Sequence, residues 1–264
     1  MPLYDAHNHL QDDRFAGAQA TLLAEAASAG VARMVVNGCG EADWPDVARL
    51  ARAYPAVLPS YGVHPWYHTE QSPRWLETLE HLLHADPHAA VGEIGLDRWK
   101  EDLPYAGQEE VFLAQWNLAA RLNRPASIHC LKAWGRLQEL LRAHPGPDRG
   151  FVLHSYGGPA EMIRSFTDLG AYFSFPGYYL HPRKERQRDT FRLVPRDRLL
   201  AETDAPDQGL PDERNTHPLR DPAGHPINHP ANLAAVYAGL ARLRQEAPER
   251  MAEALAENFQ RVFG

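Results

Sequence analysis

Eight short apolar segments, each followed by an amphipathic stretch, restrict this chain to very few architectures. They are Leu3–His9, Arg33–Cys39, Val57–Val63, Ala89–Leu96, Pro125–Cys130, Gly150–His154, Ala171–Phe175 and Arg198–Thr203. Several are rich in β-branched residues and read as strands. Between them, apolar residues three or four apart predict helices over Ala18–Ala29, Trp44–Tyr54, Arg74–Leu83, Gln108–Leu122, Ala133–Ala143, Ala160–Leu169 and Pro182–Leu193. A closing pair follows over Ala231–Arg244 and Glu249–Phe263. Alternating strands and helices imply parallel strands joined by crossover helices. Eight such units fit a closed (β/α)8 TIM barrel, for which 264 residues in one domain, 1–264, is an ordinary length. An open doubly wound sheet is the alternative, and the lack of a GxGxxG after the first strand counts against it. Ala171–Phe175 is the weakest strand signal, and Asp204–Pro230, dense in Pro, Gly, Asn and His, reads as a long loop.

Composition bounds the setting. With 44% hydrophobic and 23% charged residues the chain is of globular type, and no apolar run approaches the roughly 20 residues that span a bilayer. The N-terminus has neither the basic region nor the apolar core of a signal peptide, so a cytoplasmic protein without an evident obligate protein partner is expected. A net charge of −7 argues against a broad surface for duplex DNA, while leaving room for a small local phosphate site. Cys39 and Cys130 are too few and too far apart for a disulfide framework and read as reduced, buried thiols.

Side chains that bind metals recur at the ends of these strands. His7 and His9 are two residues apart on the first strand, so period-2 alternation aims both imidazoles one way, with Asp5 one step deeper as a carboxylate able to orient a ligand. Glu93 interrupts the fourth apolar strand, where an ionised carboxylate needs a cation, supplied either by a metal or by a barrel Lys or Arg. His129 ends the fifth strand and His154 the sixth; each is read as a ligand or as a hydrogen-bonded core histidine. Asp204 closes the eighth as a ligand or a turn aspartate, and Glu202 either holds a neighbouring histidine or makes an ordinary ion pair. Four histidines and two carboxylates suit one or two divalent ions, Zn, Mn or Mg, and a pair of ions needs a bridging ligand, for which Glu93 is the candidate. Two divalent ions, two carboxylates and a hydroxide would leave about one positive charge in the pocket, which would attract an anionic phosphodiester.

These motifs resemble the TatD family of metal-dependent deoxyribonucleases, within the amidohydrolase-like barrels. The resemblance is carried by Asp5-Ala-His-Asn-His-Leu10, Tyr61-Gly-Val-His-Pro65, Val91-Gly-Glu-Ile-Gly-Leu-Asp97, Arg124-Pro-Ala-Ser-Ile-His-Cys130, Leu153-His-Ser-Tyr-Gly-Gly158, Glu202-Thr-Asp-Ala-Pro206 and Asn258-Phe-Gln-Arg-Val-Phe263. It implies that His7, His9 and Asp204 hold one metal and His129 and His154 the other, with Glu93 bridging and His64 contacting the scissile phosphate. Glu93 stands where many amidohydrolases use a carbamylated lysine, which favours the nuclease branch. Two departures fall around the mouth: Trp66 stands where the family usually has a histidine, and Asn228-His229-Pro230 where it has Asn-Glu-Pro. The loop before that triplet, with Arg214-Asn215 and Asp221-Pro-Ala-Gly224, also looks longer than usual.

The expected reaction is hydrolysis of a phosphodiester in DNA, as single strands or ends, by a metal-activated hydroxide with Asp204 as general base and His64 steadying a phosphate oxygen. Trp66, Tyr156 and Tyr178 are candidates to stack an unpaired base. The same ligands could serve attack on a small amide, lactone or other ester, and a non-catalytic binding protein is the third alternative.

Overall fold

The computed structural model describes residues 1–100 and 102–264. Its eight parallel strands are β1 (Leu3–Asn8), β2 (Val31–Asn37), β3 (Val57–Tyr61), β4 (Ala90–Asp97), β5 (Ala126–Leu131), β6 (Phe151–Leu153), β7 (Ala171–Pro176) and β8 (Leu199–Glu202), paired in chain order. Around them lie α1 (Gln19–Ser28), α2 (Trp44–Ala53), α3 (Trp75–Ala85), α4 (Gln108–Leu122), α5 (Trp134–Ala143), α6 (Ile163–Asp168), α7 (Glu185–Leu193), α8 (Leu233–Arg244) and α9 (Pro248–Phe263). This is the TIM barrel expected from the alternation. The barrel closes where the chain leaving β8 runs along β1: Asp204 N donates to His7 O at 2.9 Å and His9 N to Ala205 O at 2.8 Å.

Two apolar layers hold it. Between strands and helices lies a continuous core containing Met34, Ile94, Ile128, Leu153, Phe173 and Leu199. Inside the barrel a second cluster joins Ala6, Val35, Leu58, Ala90, Val152, Tyr172 and Leu200 to Phe259, Val262 and Phe263 of α9. The C-terminal helix thus plugs the N-terminal end of the barrel, and the polar inward residues are left for the other end.

Two strands depart from period-2 geometry. In β1 the step from Asp5 to Asn8 spans three residues against two on β2, and in β4 the step from Val91 to Ile94 does the same against β5. Ala6 and Ala90 face inward with the α9 plug, so simple alternation would bring Asn8 and Gly92 inward next. The extra residue in each strand turns His7 and Glu93 inward instead, as bulges beside active sites do. The bulge in β1 also separates Asp5 from the histidines. Gly95, at φ 155°, leaves β4 against β5, and a side chain there would overlap the His129 carbonyl oxygen.

The seventh segment, weak in sequence, is a full six-residue strand, whereas β6 has only three residues. The long loop after β8 is not wholly irregular. It carries a small antiparallel pair, β9 (Leu219–Arg220) with β10 (Pro226–Ile227). Among the described residues no helix is long and apolar enough to cross a membrane.

Candidate metal centre

Seven side chains converge at the C-terminal end of the barrel, and Glu93 lies between two groups of them. Its Oε2 faces His7 Nε2 at 3.4 Å and His9 Nε2 at 3.3 Å. Asp204 Oδ1 completes that group, 3.6 Å from His7 Nε2 and 3.5 Å from His9 Nε2, and the two histidine nitrogens are 3.2 Å apart. On the other side Glu93 Oε1 faces His129 Nδ1 at 3.1 Å, His154 Nε2 at 2.9 Å and His64 Nε2 at 3.4 Å. His7 and His154 stack with ring centroids 4.0 Å apart, joining the groups. The barrel Lys or Arg that could have neutralised Glu93 is absent among the described residues: its ionic partners within 4 Å are five histidines.

The donor spacing and chemistry fit metal ions. In a tetrahedral site with ligand distances of about 2.0–2.2 Å, neighbouring donors stand about 3.3–3.6 Å apart. The separations in the His7, His9, Asp204 and Glu93 group run from 3.2 to 3.6 Å. Hydrogen bonding then fixes which nitrogens are bare. His9 Nδ1 lies 2.8 Å from the Asn37 carbonyl, which can only accept, so a neutral His9 turns its Nε2 lone pair toward two carboxylates. His129 donates from Nε2 to Asp97 Oδ2 at 3.0 Å, and its bare Nδ1 confronts Glu93. Lone pairs facing lone pairs need a positive charge between them, from a proton or a metal.

Protonation reflects the same demand. Burial pushes the Glu93 carboxyl up, but His154, His64 and His7 outweigh it and hold it well below the usual range. Burial opposes a proton on His154, yet Glu93 and Glu202 raise its pKa well above the ordinary histidine value. His9 is likewise raised well above it, against its burial, by contacts with Cys39, Asp204 and Glu93. A histidine raised on folding contributes stability that is fully present below about pH 6.5 and lost as pH climbs through the raised value. The metal-free protein should therefore be less stable at an alkaline pH than at neutral pH, by ~2–4 °C in Tm per 1 kcal/mol, while the metal-loaded protein holds its Tm because a cation replaces the protons. Thermal melts with chelator or with excess Mn²⁺ at both pH values check this; parallel curves would contradict it.

Each group has an outer support that sets its ring. Ser127 Oγ, on the same face of β5 as His129, lies 2.8 Å from His7 Nδ1. Asp97, at the end of β4, accepts from His129 Nε2 and from Trp66 Nε1 at 2.7 Å through Oδ2. Its Oδ1 accepts from Trp99 N at 2.6 Å and Lys100 N at 3.2 Å. Burial raises the Asp97 carboxyl, but the bonds from His129 and Trp66 outweigh it and depress it. In Asp97→Asn, any amide orientation aims NH₂ at another donor. A loss of about 10–100-fold in metal affinity or turnover is expected, as for other outer-shell carboxylates, and metal titration would detect it; unchanged titration would refute that role.

The residues expected from sequence are all here: His7, His9, His64, Glu93, His129, His154 and Asp204 share one site. Asp204 sits two residues beyond the end of β8, at φ 52°, rather than closing that strand. Asp5 does not orient a histidine ring. It takes the Thr203 amide and hydroxyl and the His7 amide, fastening β1 to the chain after β8. Glu202 accepts from the hydroxyls of Ser155 and Ser174 and lies 3.7 Å from His154 Nδ1, beside that histidine rather than in an Arg or Lys pair. Tyr156 is no base platform: it is fully buried against Trp134, Phe166 and Phe173, with its hydroxyl on Pro159 O. Trp66 is tied to Asp97 and covered by Lys100, whose Nζ is 4.9 Å from its ring. His229, in the departing triplet, caps the turn at Pro230 and pairs with Glu25 at 2.7 Å, away from the ligands. Sequence reading missed Asp97, Ser127 and Gln208. Ser127 was detectable as the inward residue two before His129, and Asp97 as a second carboxylate ending the strand of Glu93.

A parallel barrel whose C-terminal end gathers five imidazoles and an aspartate around one buried glutamate is the architecture of a metal-dependent hydrolase. The profile described as TatD related DNase matches residues 4–264, and the chain belongs to the TatD family. It is 32% identical to the uncharacterized metal-dependent hydrolase YjjV of Escherichia coli, over 98% of this chain and 96% of that one. It is 30% identical to the 3'-5' ssDNA/RNA exonuclease TatD of Pantoea vagans, over 99% of each. The crystal structure of Escherichia coli YjjV superposes with a TM-score of 0.89 at 31% identity, covering 99% of this chain and 97% of that one.

Proposed function

We propose that this chain, acting as one domain, hydrolyses phosphodiester bonds in single-stranded nucleic acid, DNA foremost, with two divalent ions of the Zn, Mn or Mg kind. The observation that carries this reading is the position of Glu93, which offers one carboxylate oxygen to His7 and His9 and the other to His129 and His154. His7, His9 and Asp204 would hold one ion and His129 and His154 the other. Bound there, the ions lower the pKa of water toward neutral and offset charge developing on the phosphate. The exonuclease name of the Pantoea vagans relative supports a nucleic-acid substrate.

The chain's own groups have separable tasks. Asp204 turns Oδ1 toward His7 and His9, while its Oδ2 accepts from Gln208 Nε2 at 2.6 Å. Burial raises the Asp204 carboxyl, but His9, His154 and His7 outweigh it and set it at about 2, so it is ionised at neutral pH; the general-base role falls to it by position, as the carboxylate beside His7 and His9 that is not shared with the second group. His64 Nδ1 accepts from Trp66 N at 3.1 Å, which leaves the proton on Nε2. Burial pushes its pKa down to about 4, so at neutral pH His64 is a fixed neutral donor for a phosphate oxygen. The test compares hydrolysis of single-stranded DNA with a panel of lactones and amides, each with added Mn²⁺ or Mg²⁺. Metal-dependent release of nucleotides is expected. Turnover of the small esters or amides with none of DNA would overturn the reading.

A further inference from the structure

Four large apolar side chains are exposed among the described residues, and two of them, Tyr67 (40%) and Trp99 (54%), belong to segments that supply the metal centre, Tyr67 shortly after His64 and Trp99 shortly after Asp97. Tyr67 follows Trp66, and its ring centroid is 6.2 Å from that of His64. Trp99 is placed by Asp97, the carboxylate that also holds His129 and Trp66. The next residue, Lys100, bends back over the Trp66 ring. Trp66 itself has its indole N–H engaged by Asp97 and one face covered by a cation. Neither Tyr67 nor Trp99 packs the core; the Tyr67 ring lies beside His64, and the Trp99 amide is bound by the carboxylate that holds His129.

We infer that Tyr67, Trp99 and Lys100 form the subsite for the nucleotide adjoining the scissile phosphate, with an unpaired base stacked on the aromatic rings and a neighbouring phosphate met by the ammonium. This rests on the nucleic-acid reading proposed above. An aromatic face accepts any base, and a base still paired and stacked in a duplex has no free face to offer. One lysine beside two aromatics matches the alternation of base and phosphate in a strand, which an apolar ester or amide lacks. The subsite thus supplies a physical preference for single strands that the metal ligands alone do not.

The test uses the full-length enzyme with Mn²⁺ on oligothymidylate and on an abasic oligomer of equal length, which keeps the phosphates and loses the bases. The unmutated enzyme should favour oligothymidylate by about tenfold or more in KM, and Trp99→Ala and Tyr67→Ala should each erase most of that preference. Trp99→Phe should restore it, which a merely structural role would not require. Lys100→Gln should reduce the slope of log KM against log salt by about 0.7, the share of one phosphate on a single strand. A base preference that persists in both alanine variants overturns the inference and leaves the hydrolase reading intact. If the unmutated enzyme cleaves neither oligomer, the nuclease reading fails. The subsite is then judged by quenching of tryptophan fluorescence on oligothymidylate titration, and quenching that is absent, or that survives in Trp99→Ala, overturns it.

Discussion

Glu93→Gln should leave one metal ion or none per chain where two are proposed, and lower phosphodiester turnover by about 10²–10⁴-fold. Its two oxygens serve different donor groups, Oε2 toward His7 and His9, Oε1 toward His129, His154 and His64. A glutamine keeps one neutral oxygen and turns an NH₂ group toward nitrogens that need a cation in front of them, so whichever way the amide lies, one group loses its shared ligand. The charge matters as much as the geometry. Removing one partner from a buried ionic cluster costs about 3–5 kcal/mol, which is about 10²–10⁴ as a ratio of rates or affinities. Elemental analysis of the purified variant, alongside turnover of single-stranded DNA, gives both readings. Two ions per chain with near-normal turnover would show that Glu93 is not the bridge.

Which parts of this site could be read from the sequence follows from strand geometry. On β5, β6 and β8 the inward residues alternate without interruption, as Ser127 and His129, Val152 and His154, Leu200 and Glu202. There, a ligand at the end of an apolar run is found by counting in twos. Glu93 is found by its chemistry and His7 by its spacing from His9, whereas counting in twos from the inward Ala6 and Ala90 sends both outward. The extra residue in β1 and in β4 that corrects this is a matter of pairing with β2 and β5, and local periodicity does not encode pairing. The same limit explains the misjudged neighbours. Asp5 looked like a support for His7 on an unbroken strand, and the bulge gave it to Thr203 instead. Tyr156 stood just past a strand end, like a mouth residue, but Trp134 of α5 and Phe166 of α6 bury it. Asp97 acts on His129 from the next strand, a contact between positions 32 residues apart that follows only once β4 and β5 lie side by side.

Asp204→Asn should separate the two tasks given to this carboxylate. As a ligand, Asp204 needs an oxygen at the Oδ1 position, 3.5 Å from His9 Nε2 and 3.6 Å from His7 Nε2, and an asparagine carbonyl can occupy it. As a base it needs a negative charge and a lone pair able to take a proton at neutral pH, which the amide lacks. General-base assistance contributes about 10²–10⁴-fold, so kcat should fall by that factor while KM for DNA stays near its normal value and metal is retained when supplied in excess. A simple loss of ligand predicts a different pattern, in which added metal restores kcat. Steady-state kinetics at rising Mn²⁺ concentration distinguishes the two, and recovery of kcat at saturating metal would remove Asp204 from the proton-transfer role and leave it as a ligand only.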